Sequence, residues 1–319
     1  MPSVETAVQT NRLVHTMQEY EVVIVGGGPA GLSAALVLGR CLRTVLVCDS
    51  GQPRNQSSRA MHGFLTRDNI PPLEFLDIAR TQLQRYENVT FLNNEVTDII
   101  RNQEGFKVTL ADHTNITCRK LLLATGVVDN LPPIQGIEQL YGKNAFHCPY
   151  CDGWEVRRLP IVVYGRGKRG HGLSLDLKNW TDQVTLCTDG PSELSGEEIN
   201  KLTESSIQII EDRIQSVQPA ATNFINLQFI NGNSLEFGAM FFTLGHKQRC
   251  QFPKLLGCEF TDKGAVDTNN YQATGVPNLY VAGDASHDLQ LVIVAAAEGA
   301  KAAFAINKSL IEKEIKSED

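Results

Sequence analysis

Short unbroken apolar runs alternate along the chain with longer mixed stretches. Residues 21–25, 44–48, 121–126, 159–164, 183–187, 241–245 and 279–284 are such runs. Their length and β-branched content predict strands of a parallel sheet buried on both faces. Segments 32–40, 73–86, 173–180 and 290–306 carry helical spacing. Residues 106–110 alternate like a meander strand, and 226–237 read as a hairpin turning at Asn231-Gly232. The order strand, glycine turn, helix, strand and terminal acid occurs twice, at 21–49 and at 159–189, and each copy is a βαβ unit. The fold class this predicts is α/β, with two nucleotide-binding, Rossmann-like three-layer domains. Residues 130–133, Asn-Leu-Pro-Pro, are the expected hinge, and the charged tail 308–319 is expected to fray.

The two glycine turns carry the first candidate chemistry. In Gly26-x-Gly28-x-x-Gly31 the glycines permit a tight turn, close approach of a pyrophosphate, and packing of helix on strand. The helix start then offers free N–H groups to phosphate. Asp49 follows at the spacing of an acid that bonds a ribose 2′-hydroxyl. Gly165-x-Gly167-x-x-Gly170 repeats the pattern with Asp189 in the acid's place, and Lys168 and Arg169 lie inside the turn. Residues 186–198 hold four acids and no arginine or lysine. A 2′-phosphate there would meet like charge, so NADP is disfavoured against NAD, ADP-ribose or the ADP half of FAD. The alternative is a second nucleotide fold that has lost its ligand.

Cys148-Pro-Tyr-Cys151 is the one Cys-x-x-Cys in the sequence and its candidate redox pair, with Asp152 beside it to move a proton. Zinc needs four ligands and only His147 is local, so no metal site is expected. An inert core pair is the bland alternative. Gly283-Asp284 ends a strand before an apolar helix, where an acid can accept from a ribityl or ribose hydroxyl, or simply cap the helix.

Composition narrows the classes further. The chain has 319 residues, 42% hydrophobic and 20% charged, ample for two cores. A net charge of −7 lacks the basic footprint of a nucleic-acid binder. Eight cysteines are too few for a secreted disulfide scaffold. The uncharged run 22–39 has the length of a membrane span, but Gly26, Gly27, Gly28, Pro29 and Gly31 interrupt it, so no membrane segment is expected. Residues 1–20 read as a polar leader without a signal sequence, with Met17 as an alternative start, and a cytoplasmic protein is expected.

Together these motifs resemble the low-molecular-weight thioredoxin reductase family of two-domain flavoproteins, over about residues 20–307. The carriers are the first glycine turn, Ala124-Thr125-Gly126, Cys148-Pro-Tyr-Cys-Asp-Gly153, the second glycine turn, and Tyr280-Val-Ala-Gly-Asp-Ala285. The resemblance implies a discontinuous FAD domain, 21–129 with 248–319, and an inserted domain, 130–247, bearing the redox pair. It implies that Cys151 faces the flavin, Cys148 attacks the substrate disulfide, Asp152 is the acid/base, and the protein is a homodimer. Two features depart from the family: its usual third-position alanine is Gly170 here, and its His-Arg-Arg cluster is missing.

Asp49-Ser-Gly-Gln-Pro-Arg-Asn55, His62-Gly63 and Gln290-Leu291 with the helix that follows are similar to a branch holding fungal dithiol oxidases and pyridine-nucleotide-independent enzymes. Within it, the second turn is most similar to that of diflavin-linked disulfide oxidoreductases. The FAD contacts so implied are Gly26, Gly28, Pro29, Ala30, Gly31, Asp49, Gly51, Arg54, Asn55, Ala124, Thr125, Gly126, Gly283, Asp284, Gln290 and Leu291. A second FAD or other adenine nucleotide is implied at Gly165, Gly167, Lys168, Arg169, Gly170 and Asp189. The expected activity is FAD-dependent, NADPH-independent exchange of electrons with a dithiol or disulfide, either a thioredoxin-like protein or a small molecule. The rivals are an O2-using dithiol oxidase and a flavin-loaded redox sensor.

Overall fold

The computed structural model describes residues 18–318. The leader expectation, with Met17, lies outside them except at 18–20. Those three residues belong to the first strand, Gln18–Val25, instead of a leader. Tyr20 is buried, and Gln18, Glu19 and Tyr20 pair with Ile116, Thr117 and Cys118, so the sheet extends the strand beyond its apolar run.

A seven-stranded sheet forms one half. Its order is Val89–Leu92, Val45–Cys48, Gln18–Val25, Asn115–Leu123, Phe106–Leu110, Val96–Arg101, with Leu279–Val281 pairing in parallel beside the end of Asn115–Leu123. Val22 and Ile24 pack to one face with Leu38, Ala302 and Ile306. Val23 and Val25 pack to the other with Leu46, Leu121 and Val266. Burial on both faces explains why the strand reads as one continuous apolar run.

A five-stranded parallel sheet forms the other half, ordered Gln208–Ile210, Val184–Cys187, Ile161–Tyr164, Ala239–Phe242, Ala145–Phe146. The predicted hairpin is present as Ile225–Phe229 and Ser234–Phe237, extended to three strands by Ile214–Pro219. The chain passes between the halves twice, and the crossing strands Val127–Asp129 and His246–Gln248 pair antiparallel. They adjoin the expected hinge.

The C-terminal tail corrects the sequence reading. The helix runs Val292–Glu318 without fraying at 308. Leu310 is fully buried, and Arg43 bonds Glu314 at 2.7 Å while also reaching Glu21 at 2.7 Å. Ser309 Oγ accepts from the buried Lys120 ammonium at 2.6 Å. The tail's charges stand on the outer side or pair inward, so a charged composition coexists with a docked helix. No helix among the described residues is long and apolar enough to cross a membrane.

Candidate active site

A single cleft runs from the first glycine turn to the redox pair, and most predicted contacts line it. Gly26, Gly28, Pro29, Ala30, Asp49, Arg54, Asn55, Ala124, Thr125, Gly126, Gly283, Asp284, Gln290 and Leu291 do so, together with Cys151 and Asp152. Gly31 and Gly51 do not. Gly31 closes the turn from behind: a Cβ there would sit 1.9 Å from Gly26 O, while one on Gly28 would meet nothing within 4 Å. The helix Pro29–Arg40 starts with proline and has no side-chain cap, which leaves its first N–H groups for a ligand. Thr125 Oγ1 is buried without a hydrogen-bond partner among the described residues. Asp49 is already engaged, accepting from Gly27 N and Arg80 Nη2, both at 2.9 Å. Its carboxylate keeps lone pairs for a ribose hydroxyl. The turn, the acid and the orphaned hydroxyl fit the diphosphate and sugars of a dinucleotide.

The cysteines are joined as a disulfide, with Cα atoms 5.3 Å apart, around the one-turn helix Pro149–Asp152. Cys151 lines the cleft and Cys148 does not. Burial, reinforced by the Glu155 charge, pushes the Asp152 carboxyl up to about 7. A carboxyl titrating there can both accept and return a proton near neutrality.

Three residues beside the pair escaped the sequence reading as site residues: Asp129, Tyr141 and His147. Arg54 binds Asp129 through Nε at 2.8 Å and Nη2 at 2.5 Å, and Asp284 through Nη1 at 2.7 Å. Tyr141 donates to Asp129 Oδ2 at 2.6 Å. Burial works against the Asp129 charge, yet Arg54 and its other neighbours hold its carboxyl at about 2.

At the second turn the structure brings Gly165, Gly167, Lys168, Arg169 and Gly170 to a strand–helix junction, with Asp189 at the end of the neighbouring strand, as predicted. The charge reading of 186–198 needs correction. Arg166 and Arg213, from outside that window, each stand 4.0 Å from Asp189 Oδ2. Of the four acids, Glu193 lies 3.8 Å from Arg166, and Glu198 caps the helix Gly196–Glu204 by accepting from Ser195 N at 2.8 Å. Like-charge repulsion is therefore largely neutralised. The chain instead fills its own turn. Gly167 N donates to Ser192 O at 2.8 Å, and Asp189 Oδ1 accepts from Ile214 N at 2.8 Å. Arg166 donates to Thr188 O at 2.6 Å and to Asp189 O.

Comparison with known proteins agrees with this architecture. A family model, pyridine nucleotide-disulphide oxidoreductase, matches residues 20–299. The chain is 31% identical to thioredoxin reductase tcpT of Claviceps purpurea, over 83% of this chain and 86% of that one. It is 29% identical to thioredoxin reductase aclD of Aspergillus oryzae, over 91% and 96%. Among solved structures, HlmI is 32% identical with TM-score 0.89, covering 94% of this chain and 95% of that one. An oxidoreductase from Agrobacterium tumefaciens is 30% identical with TM-score 0.86, covering 92% and 99%.

Proposed function

The chain belongs to the pyridine nucleotide-disulphide oxidoreductase family, as a thioredoxin reductase-like, flavin-dependent disulfide oxidoreductase, and from that premise we propose that it exchanges electrons between FAD and an external dithiol or disulfide without using NADPH. The observation that carries the reading is the placement of Cys151 and Asp152 in the cleft that fits the dinucleotide, with Cys148 outside it. FAD, when bound, supplies the two-electron partner beside Cys151.

In this reading a substrate thiolate attacks Cys148 Sγ. The Cys148–Cys151 bond breaks, and Cys151 leaves as a thiolate into the cleft. The second substrate thiol then attacks the substrate sulfur of the mixed disulfide. Substrate departs as a disulfide and Cys148 as a thiolate, so two electrons enter the pair. Two protons are released in all, and Asp152 takes one. The reverse order reduces a substrate disulfide. Tyr150 and Trp154 are 78% and 65% exposed around the pair and offer aromatic surface to an arriving substrate.

Independence from NADPH is supported by the second turn's Gly167 amide, which already donates to Ser192 O. By the same observation the proposal is one FAD per chain, with a second adenine nucleotide as the other outcome. A division into 18–129 with 248–319 and 130–247, and a homodimer, complete the proposal on the family resemblance, and a cytoplasmic setting is proposed because the redox pair must stay reducible. The test is an anaerobic titration of the purified protein with dithiol and with NADPH. Bleaching of the flavin by dithiol alone is expected. Bleaching by NADPH at comparable rates would overturn the NADPH-independent part, and no bleaching by either donor would favour the sensor.

A further inference from the structure

Side chains from both halves meet at the base of the redox helix. Arg54 comes from the seven-stranded half, Asp129 ends a crossing strand, and Tyr141 and His147 come from the five-stranded half. His147 lies between two of the others: Nε2 is 3.2 Å from Arg54 Nη2, and Nδ1 is 3.2 Å from Tyr141 Oη. A guanidinium has donors only, so Nε2 must be the nitrogen with the lone pair. Tyr141 spends its proton on Asp129, so its oxygen accepts from Nδ1–H. One tautomer satisfies both contacts, and a second ring proton would point at a cation. Burial, with Arg54 also opposing the charge, outweighs the pull of Asp129 Oδ1, 3.9 Å from Nε2, and brings the imidazole down to about 4.

The helix this ring adjoins is held on its other side by Tyr150, whose ring meets Trp180 edge-on with centroids 5.7 Å apart. Pro149–Asp152 is only four residues long, and its N-cap, Cys148, makes no side-chain cap bond. Arg54 is a firm anchor, since Asp129 and Asp284 hold its remaining nitrogens. A second contact between the halves, His62 to Glu155 at 3.5 Å, uses a partly exposed carboxylate.

We infer that His147 is a positioning residue: its ring ties the Cys148–Cys151 helix to Arg54 of the opposite half and so keeps Cys151 in the cleft. It passes no proton in the reaction, which leaves that task to Asp152. The inference rests on the proposed reading of Cys151 as the sulfur facing the flavin.

The test uses FAD-loaded Cys148→Ser protein, in which a Cys151 thiolate beside oxidised flavin gives a long-wavelength absorption band. Iodoacetamide removes the band as Cys151 reacts, and peptide mass identifies the modified cysteine. His147→Phe keeps the ring and loses both contacts, and should raise the Cys151 alkylation rate about tenfold. Tyr141→Phe should raise it several-fold in the same direction. His147→Gln, which retains one acceptor and one donor, should return it to within about twofold of the parent. Parent-like rates in both His147→Phe and Tyr141→Phe would overturn the inference, as would a Gln variant no slower than Phe. A parent protein without the band would overturn the reading of Cys151 and this inference with it, whereas a parent with the band and unchanged rates in the variants overturns the inference alone.

Discussion

The backbone N–H of Gly167 donates to the carbonyl of Ser192 at 2.8 Å, and a Cβ there would meet Glu193 O at 3.6 Å, whereas a Cβ on Gly28, its counterpart in the first turn, would meet nothing within 4 Å. Two turns with the same spacing thus present different surfaces. A dinucleotide at the second turn would have to displace a segment that is also stitched to Glu211, which accepts from Ser192 N at 2.8 Å through Oε1. Losing such bonds costs roughly tenfold in affinity for each one not replaced. NADPH should therefore be a poor reductant, and released flavin should measure one per chain. Saturable, rapid NADPH oxidation, or two flavins per chain, would contradict this.

The first turn gives a contrasting pair of substitutions. Gly31→Ala places a methyl 1.9 Å from Gly26 O, so the turn itself must move, and both thermal stability and flavin content should fall. Gly28→Ala meets no protein atom within 4 Å, so the apo-protein should melt within a degree or two of wild type. Gly28 lines the cleft, so FAD affinity should drop by about tenfold or more. Titration of deflavinated protein with FAD, beside melting curves, separates the two effects. Equal FAD affinity in Gly28→Ala would place the pyrophosphate elsewhere.

Features fixed by local sterics were legible in the sequence. Gly26 and Gly31 could be read because only glycine permits those approaches, and Val22–Val25 because a strand buried on both faces must be apolar throughout. Features assembled from distant segments were not. Asp129, Tyr141 and His147 become a site by meeting Arg54, from a position 75 residues before Asp129. The acid count in 186–198 was correct as a sequence fact and misleading as electrostatics, because Arg166 and Arg213 reach Asp189 from outside that window. The tail from 308 was misread because composition cannot reveal that Glu314 has Arg43 and Arg119 as partners.

The two cysteines should behave differently when replaced singly. Cys148→Ser leaves Cys151 beside the ring, and the long-wavelength band should appear when that thiol ionises. Cys151→Ser leaves Cys148 outside the cleft lining, without the band and without flavin-linked dithiol turnover. Absorption spectra of the two purified variants decide the matter, and the band in Cys151→Ser alone would reverse the roles.

Asp152 links pH to both rate and stability. Its carboxyl is raised to about 7 in the folded protein by burial and by Glu155, against about 4 for an exposed aspartate. The folded state therefore binds the proton more tightly than the unfolded chain. This group's contribution to stability is fullest below pH ~4 and is lost as pH rises to ~7. Asp152→Asn should flatten that decline in melting curves. The same titration marks the direction of electron flow. If the external dithiol gives up its protons to the protein, the ionised carboxylate is the active form, and dithiol-driven flavin reduction should rise through pH ~7 to a plateau. Asp152→Asn should lower the plateau by about 10²-fold or more and erase the inflection. A rate that instead falls through pH ~7 in wild type, and not in Asp152→Asn, would make the protonated acid the active form. The protein would then be a reductant of disulfides, with its electrons drawn from a donor other than the dithiol.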